Sequence, residues 1–155
     1  LGIAQENSGK LVTLVRQQAR DLAVKKGLDY VISDGPPGIG CPVISSLSGV
    51  SLALIVTEPT LSGIHDMERV LDVCGHFGVP ALVCINKYDL NDDNTKAIHG
   101  YCGEKGIEVA AMIPFDSAVT EAMVKGLAIV EYSDGLVAGE IKSLWQRINR
   151  KLQEK

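Results

Sequence analysis

Two short stretches of this chain carry side chains suited to chemistry on a charged ligand. The first is Asp34-Gly-Pro-Pro-Gly38-Ile-Gly40, which follows the apolar run Tyr30-Val31-Ile32. The run suits a buried strand, and the glycines and prolines stop it abruptly. A carboxylate at the carboxyl end of a parallel strand lies where open α/β sheets bind ligands. With bare backbone beside it, Asp34 can hold a hydrated Mg²⁺ while glycine N–H groups approach an anionic oxygen. The second stretch is Asn86-Lys87-Tyr88-Asp89, directly after Ala81-Leu-Val-Cys-Ile85. A side-chain amide at a strand end both donates to and accepts from the edge of a base.

Phosphates ask for more: a glycine-rich loop whose N–H groups cradle them, with a lysine reaching the outer phosphates. The one candidate is Asn7-Ser8-Gly9-Lys10-Leu11. Ala4 stands where the first glycine belongs, and Leu11 stands where a Mg²⁺-binding Ser or Thr is required. This segment therefore reads as a helix cap followed by a surface lysine, with a switch-like or interface role for Lys10 as the alternative. The four cysteines, Cys41, Cys74, Cys84 and Cys102, form no Cys-x-x-Cys pair, which argues against a self-contained zinc or iron–sulfur site. They read as packing residues, Cys41 included.

The elements that must position these residues follow from periodicity. A helix is expected over 9–26, capped by Asn7 or Ser8, with Leu11, Leu14, Val15, Leu22 and Ala23 buried. Strands are expected over 28–34, 51–57, 81–86 and 108–113. Helices are expected over 42–47, 62–77, 93–105, 117–124 and 136–151. Strands alternating with helices predict a parallel sheet between helical layers.

Composition narrows the function classes. The chain has 155 residues, 46% of them hydrophobic, enough for one domain, spanning 1–155, with a real core. A formal net charge of −4 and the lack of a dense basic face argue against nucleic acid. The basic residues Lys142, Arg147, Arg150, Lys151 and Lys155 alternate with Glu140 and Glu154 and read as a solvated helix face. The longest apolar run, 52–56, is too short to span a bilayer, and no signal peptide is visible. The chain begins at Leu1, so a cut or processed cytoplasmic piece is expected.

The ordered segments DGPPGIGCPVISSLSG, VTEPTLSGIHDMERV, INKYDLN and IPFDSAVTEAM resemble the carboxyl-terminal part of the MinD/ParA-like P-loop ATPases. The resemblance runs from about residue 2 to residue 126 and is strongest to the subgroup with an inserted ferredoxin module. It implies a three-layer α/β sandwich, P-loop NTPase-like but lacking the P-loop strand, which in that family lies between strand 28–34 and strand 51–57. It also implies that Asp34 orients Mg²⁺ through water and that the Gly38 amide senses the γ-phosphate. Asn86 would read adenine with Lys87 beside it, while Ile113 and Pro114 pack on the ring and Asp116 contacts base or ribose. The TEPT and His65-Asp66 segments would lie near a dimer face or coupling loop. ATP and Mg²⁺ would be the ligands, and a homodimer the working form. An iron–sulfur cluster would belong to the parent protein, whose upstream P-loop and ferredoxin segments this chain would need.

Two other readings stay open. Asn86-Lys87-Tyr88-Asp89 matches the NKxD pattern with which Ras-like GTPases read guanine, and Ser117-Ala118 echoes their supporting element. Against this, that class requires D-x-x-G at the first loop, whereas position 37 is Pro. The other is a non-catalytic interaction module, as base contacts without a phosphate loop would suggest.

Overall fold

The computed structural model describes residues 2–38 and 40–154, with side chains from residue 9 onward. Ile39 of the glycine-rich loop, Lys155, and the expected capping side chains of Asn7 and Ser8 lie outside the described set. The backbone at 7–8 is already helical, because α1 runs Gly2–Lys26. The helix therefore starts upstream of the expected cap, through Ala4, Gln5 and Glu6, which tolerate helix well.

Three strands form one parallel sheet in the order β1 (Ala53–Thr57), β2 (Ala81–Asn86), β3 (Glu108–Ile113). Helices α3 (Leu61–His76) and α4 (Asp92–Lys105) cover one face, and α7 (Leu136–Gln153) covers the other. Between them run α2 (Cys41–Leu47), upstream of β1, and α5 (Ser117–Val124) and α6 (Ile129–Tyr132), after β3. The result is the expected α/β three-layer arrangement.

β2 is central and apolar on both sides, as a strand with two covered faces must be. Val83 and Ile85 pack with Met67 and Leu71 of α3 and with Ile98 and Cys102 of α4. Leu82 and Cys84 pack with Ala110, Ala111 and Leu144 on the opposite face. Burial pushes the thiols of Cys74 and Cys102 up, and that of Cys84 up to about 11, with Glu140 adding to it.

The β3 edge is closed by a bulge. Val83 pairs with Val109 and Cys84 with Ala111, so Ala110 is the extra residue, and Arg147 Nη1 donates to its carbonyl at 2.7 Å. A charged side chain seated on a bulged edge discourages further strand pairing.

The amino-terminal part departs from expectation. Residues 28–34 form no strand. They are tied to α7 by Tyr30, whose hydroxyl donates to Asn149 Oδ1 at 2.8 Å and whose ring meets Trp145 edge-on at 5.0 Å. A strand exists only by its ladder, and among the described residues no strand lies beside this segment. The expected apolar face of α1 is open for the same reason: Leu11, Leu14, Val15 and Leu22 are exposed and only Ala23 is buried. α1 packs on α2 through polar contacts, Arg16 donating to the carbonyls of Ser45 and Ser48 and Arg20 to that of Gly49. Cys41, expected to pack, is exposed at the start of α2. Trp145 of α7 is partly exposed beside Tyr30.

Candidate functional site

The carboxyl ends of β1, β2 and β3 lie side by side, and the side chains just beyond them tie the three ends together. After β1, Thr57 is buried and its hydroxyl donates to the Gly63 carbonyl at 3.0 Å. Thr60 caps α3, accepting from the Gly63 N–H at 3.0 Å. A Cβ on Gly63 would strike the Glu58 carbonyl oxygen, so the strand-to-helix turn closes only with glycine there. The spacing of Thr57, Thr60 and Gly63 is thus accounted for by this tight turn.

After β2 the chain turns sharply. Lys87 adopts the left-handed region with φ 52°, the one non-glycine to do so among the described residues. A 3₁₀ turn over Tyr88–Leu90 follows, and the Tyr88 carbonyl accepts from the Thr95 hydroxyl at 2.7 Å. Lys87 Nζ lies 2.8 Å from Glu58 Oε1. Both side chains are more than a third exposed, so the pair contributes at most about 1 kcal/mol and acts chiefly to set geometry. Asn94 adds a second link, its Nδ2 donating to the Pro59 carbonyl at 2.9 Å. After β3, the Phe115 N–H donates to Asp89 Oδ1 at 2.8 Å, and Asp116 caps α5 by accepting from the Ala118 N–H at 2.8 Å.

A cleft of about 1210 Å³ opens beside β1. Asp34 and Gly38 line it together with Val56, Glu58, Asp66 and Trp145. Gly38 has φ 87°, a conformation that L side chains rarely adopt. The cleft runs along the free edge of β1 and the uncovered residues Leu54 and Val56.

The expected site residues therefore fall into two groups. Asp34 and Gly38 share the cleft. Asn86 and Ile113 are ladder partners at the end of β2 and β3, with Lys87, Pro114 and Asp116 continuing from them. Glu58 connects the groups, lining the cleft while holding Lys87. Glu58 is marked in the sequence only as part of the TEPT segment, directly past the end of β1, and Asp89 only as the last residue of the NKxD-like alternative. His65 is exposed beside Asp66, with Nδ1 3.8 Å from Oδ1.

A hydrated Mg²⁺ bound to phosphates needs only one or two protein carboxylates, and exposed Asp34 in an open cleft suits that task. An iron–sulfur cluster does not fit this chain, because Cys74, Cys84 and Cys102 are separately buried in the core. Among the described residues no three His, Cys, Asp or Glu side chains group as a metal site, and no helix is long and apolar enough to cross a membrane.

No family model matches the chain. The chain is 30% identical over 148 residues to the uncharacterized protein MJ0578 of Methanocaldococcus jannaschii, an alignment covering 96% of this chain and 48% of that protein. It is 27% identical over 165 residues to an iron–sulfur cluster carrier protein of Pyrococcus horikoshii, covering 94% and 54%. The solved cell-division ATPase MinD of Pyrococcus furiosus superposes with a TM-score of 0.69 at 27% identity, over 83% of this chain and 54% of that one. The chain thus spans about half the length of the relatives it matches. With the parallel β1–β2–β3 order and the ordered loop motifs, these likenesses have one family in common. The iron–sulfur cluster carrier and MinD likenesses support a MinD/ParA-like P-loop ATPase family for this chain.

Proposed function

We propose that this chain is the carboxyl-terminal part of a cytoplasmic MinD-like ATPase that binds and hydrolyses Mg-ATP, switches as a homodimer, and serves an iron–sulfur module elsewhere in the parent. The cleft carries this reading. Its walls hold Asp34 and Gly38 at the mouth of an unfilled parallel edge, β1. A strand entering there and ending in a phosphate loop would bring phosphates to Asp34. The carboxylate would orient the hydrated Mg²⁺. The Gly38 amide would hydrogen-bond the γ-phosphate and be released by hydrolysis. Magnesium would supply charge neutralisation at the reacting phosphate. Asn86, Lys87, Ile113, Pro114 and Asp116 would hold the base.

The 155-residue chain alone should hydrolyse no ATP, since phosphate contacts dominate such binding and it carries no phosphate loop. In the full-length protein, Asp34→Asn should slow hydrolysis by about 30- to 1000-fold, the scale of one preorganised electrostatic group, with ATP still bound. Hydrolysis at the parental rate in that variant would refute the assignment of Asp34. Iron and acid-labile sulfide assays on the full-length protein test the module, and light scattering with and without ATP tests the dimer.

A further inference from the structure

We infer that Asp89 is a positioning residue that shapes the base-binding loop, and that its carboxylate does not itself read a base. The inference rests on the nucleotide-binding reading above. Asp89 occupies the fourth place of Asn86-Lys87-Tyr88-Asp89, where a guanine reader would aim both carboxylate oxygens at two N–H groups of the ring. Here the carboxylate turns toward the next strand end. Its Oδ1 accepts from the Phe115 N–H at 2.8 Å, across 26 residues of chain.

The surroundings hold that orientation. The left-handed Lys87 starts the turn, and the Leu90 N–H closes it on the Lys87 carbonyl at 3.0 Å. Lys87 Nζ is held by Glu58, and the Thr95 hydroxyl fixes the Tyr88 carbonyl. A non-glycine residue in the left-handed region is strained, and it persists only where the structure around it over-determines it. The strain at Lys87 therefore goes with directing Asp89 to the 113–116 segment.

The consequence is chemical. Adenine presents an acceptor nitrogen beside its amino group, so a carboxylate aimed at that edge would repel it. Turned onto the Phe115 amide, Asp89 leaves the base edge to Asn86 and to the backbone after Ile113. Asp89 thus favours adenine by fixing the loop and by withdrawing its own charge.

The test uses the full-length protein and Mg-ATP, Mg-GTP and Mg-XTP titrations of the parent, Asp89→Asn and Asp89→Ala. Asparagine keeps an acceptor for the Phe115 N–H, whereas alanine removes it. D89N should keep ATP affinity within about threefold, and D89A should weaken it about tenfold or more, the scale of one charge-assisted hydrogen bond. D89A should also lower the ratio of ATP to GTP affinity, which general destabilisation would leave alone. Hydrogen exchange should show the Phe115 amide protected in the parent and D89N, and fast in D89A. A parent that prefers GTP, with D89N gaining XTP, would overturn the inference, as would unchanged ATP selectivity in D89A. If the parent binds no nucleotide at all, the nucleotide reading itself fails, and Phe115 exchange still decides whether Asp89 holds the loop.

Discussion

Tyr30-Val31-Ile32 and Val83-Cys84-Ile85 are equivalent as strand code, yet Ile85 is 0% exposed and Ile32 is 81% exposed. The second triplet lies in β2, between two paired strands and two helical layers. The first has a tyrosine tethered to α7 and no ladder beside it. The contrast extends to the helices: Met67 of α3 is 2% exposed, while Leu11 of α1 is 61% exposed. Apolar periodicity states which side of an element wants a partner, but burial needs the partner to be present. In this molecule the carboxyl-terminal three strands and their helices form a closed unit. The segment before them is arranged around an open slot.

That contrast can be tested most directly through the cysteines. Cys41 should react with a thiol reagent at the rate of an exposed thiol. Cys84 should lag by at least about 10³-fold, because its modification requires opening of the closed unit, a matter of several kcal/mol. Equal rates for both, measured in stopped flow with single-cysteine variants, would mean that the closed unit is not closed.

A pair of stability measurements adds detail. Ile85→Ala should cost about 2–5 kcal/mol in urea unfolding of this chain, as buried large-to-small changes do. Ile32→Ala in the same chain should change stability by less than about 0.5 kcal/mol, as at an ordinary surface position. A large cost at Ile32 would show that its segment is covered in solution. In the full-length protein the proposed inserted strand should turn Ile32→Ala into a core deletion of the larger size.

Two glycines in α3 give finer resolution. Gly63→Ala should destabilise by about 1–3 kcal/mol, because the new methyl meets the Glu58 carbonyl and the Thr57 and Thr60 hydroxyls. Gly75→Ala meets nothing within 4 Å and should stabilise by about 0.5–1 kcal/mol through helix propensity. Thermal melts of both variants check this. A neutral Gly63→Ala would remove the claim that the turn after β1 is close-packed.

Smaller still is the expected effect at the β3 edge. Arg147→Ala should cost about 1 kcal/mol, the net value of one hydrogen bond to the Ala110 carbonyl. Sedimentation at high concentration would show whether the uncovered edge also promotes association.

Much of the closed unit was legible from the residues. β2, β3 and α5 fall at the expected 81–86, 108–113 and 117–124, β1, α3, α4 and α7 shift by only a residue or two at an end, and the short α6 was not expected. Their boundaries are local matters: Thr60, Asn91 and Asp116 cap helices with their own side chains, and Gly106 ends α4 in the left-handed conformation. The parallel order of the three strands followed as well, since short helical crossovers leave few alternatives.

Other features were decided only in three dimensions. Whether 28–34 became a strand depended on a neighbour, not on its own excellent strand composition. The bulge at Ala110 and its closure by Arg147 join residues 37 apart. The Glu58–Lys87 pair and the Asp89–Phe115 bond join different strand ends, and nothing in NKYD alone says which way the aspartate turns. Residue types and spacing determined which groups could do chemistry and where the local chain starts and stops. Only tertiary structure decided which of those groups meet, because a contact between distant residues is set by the packing of the elements that carry them.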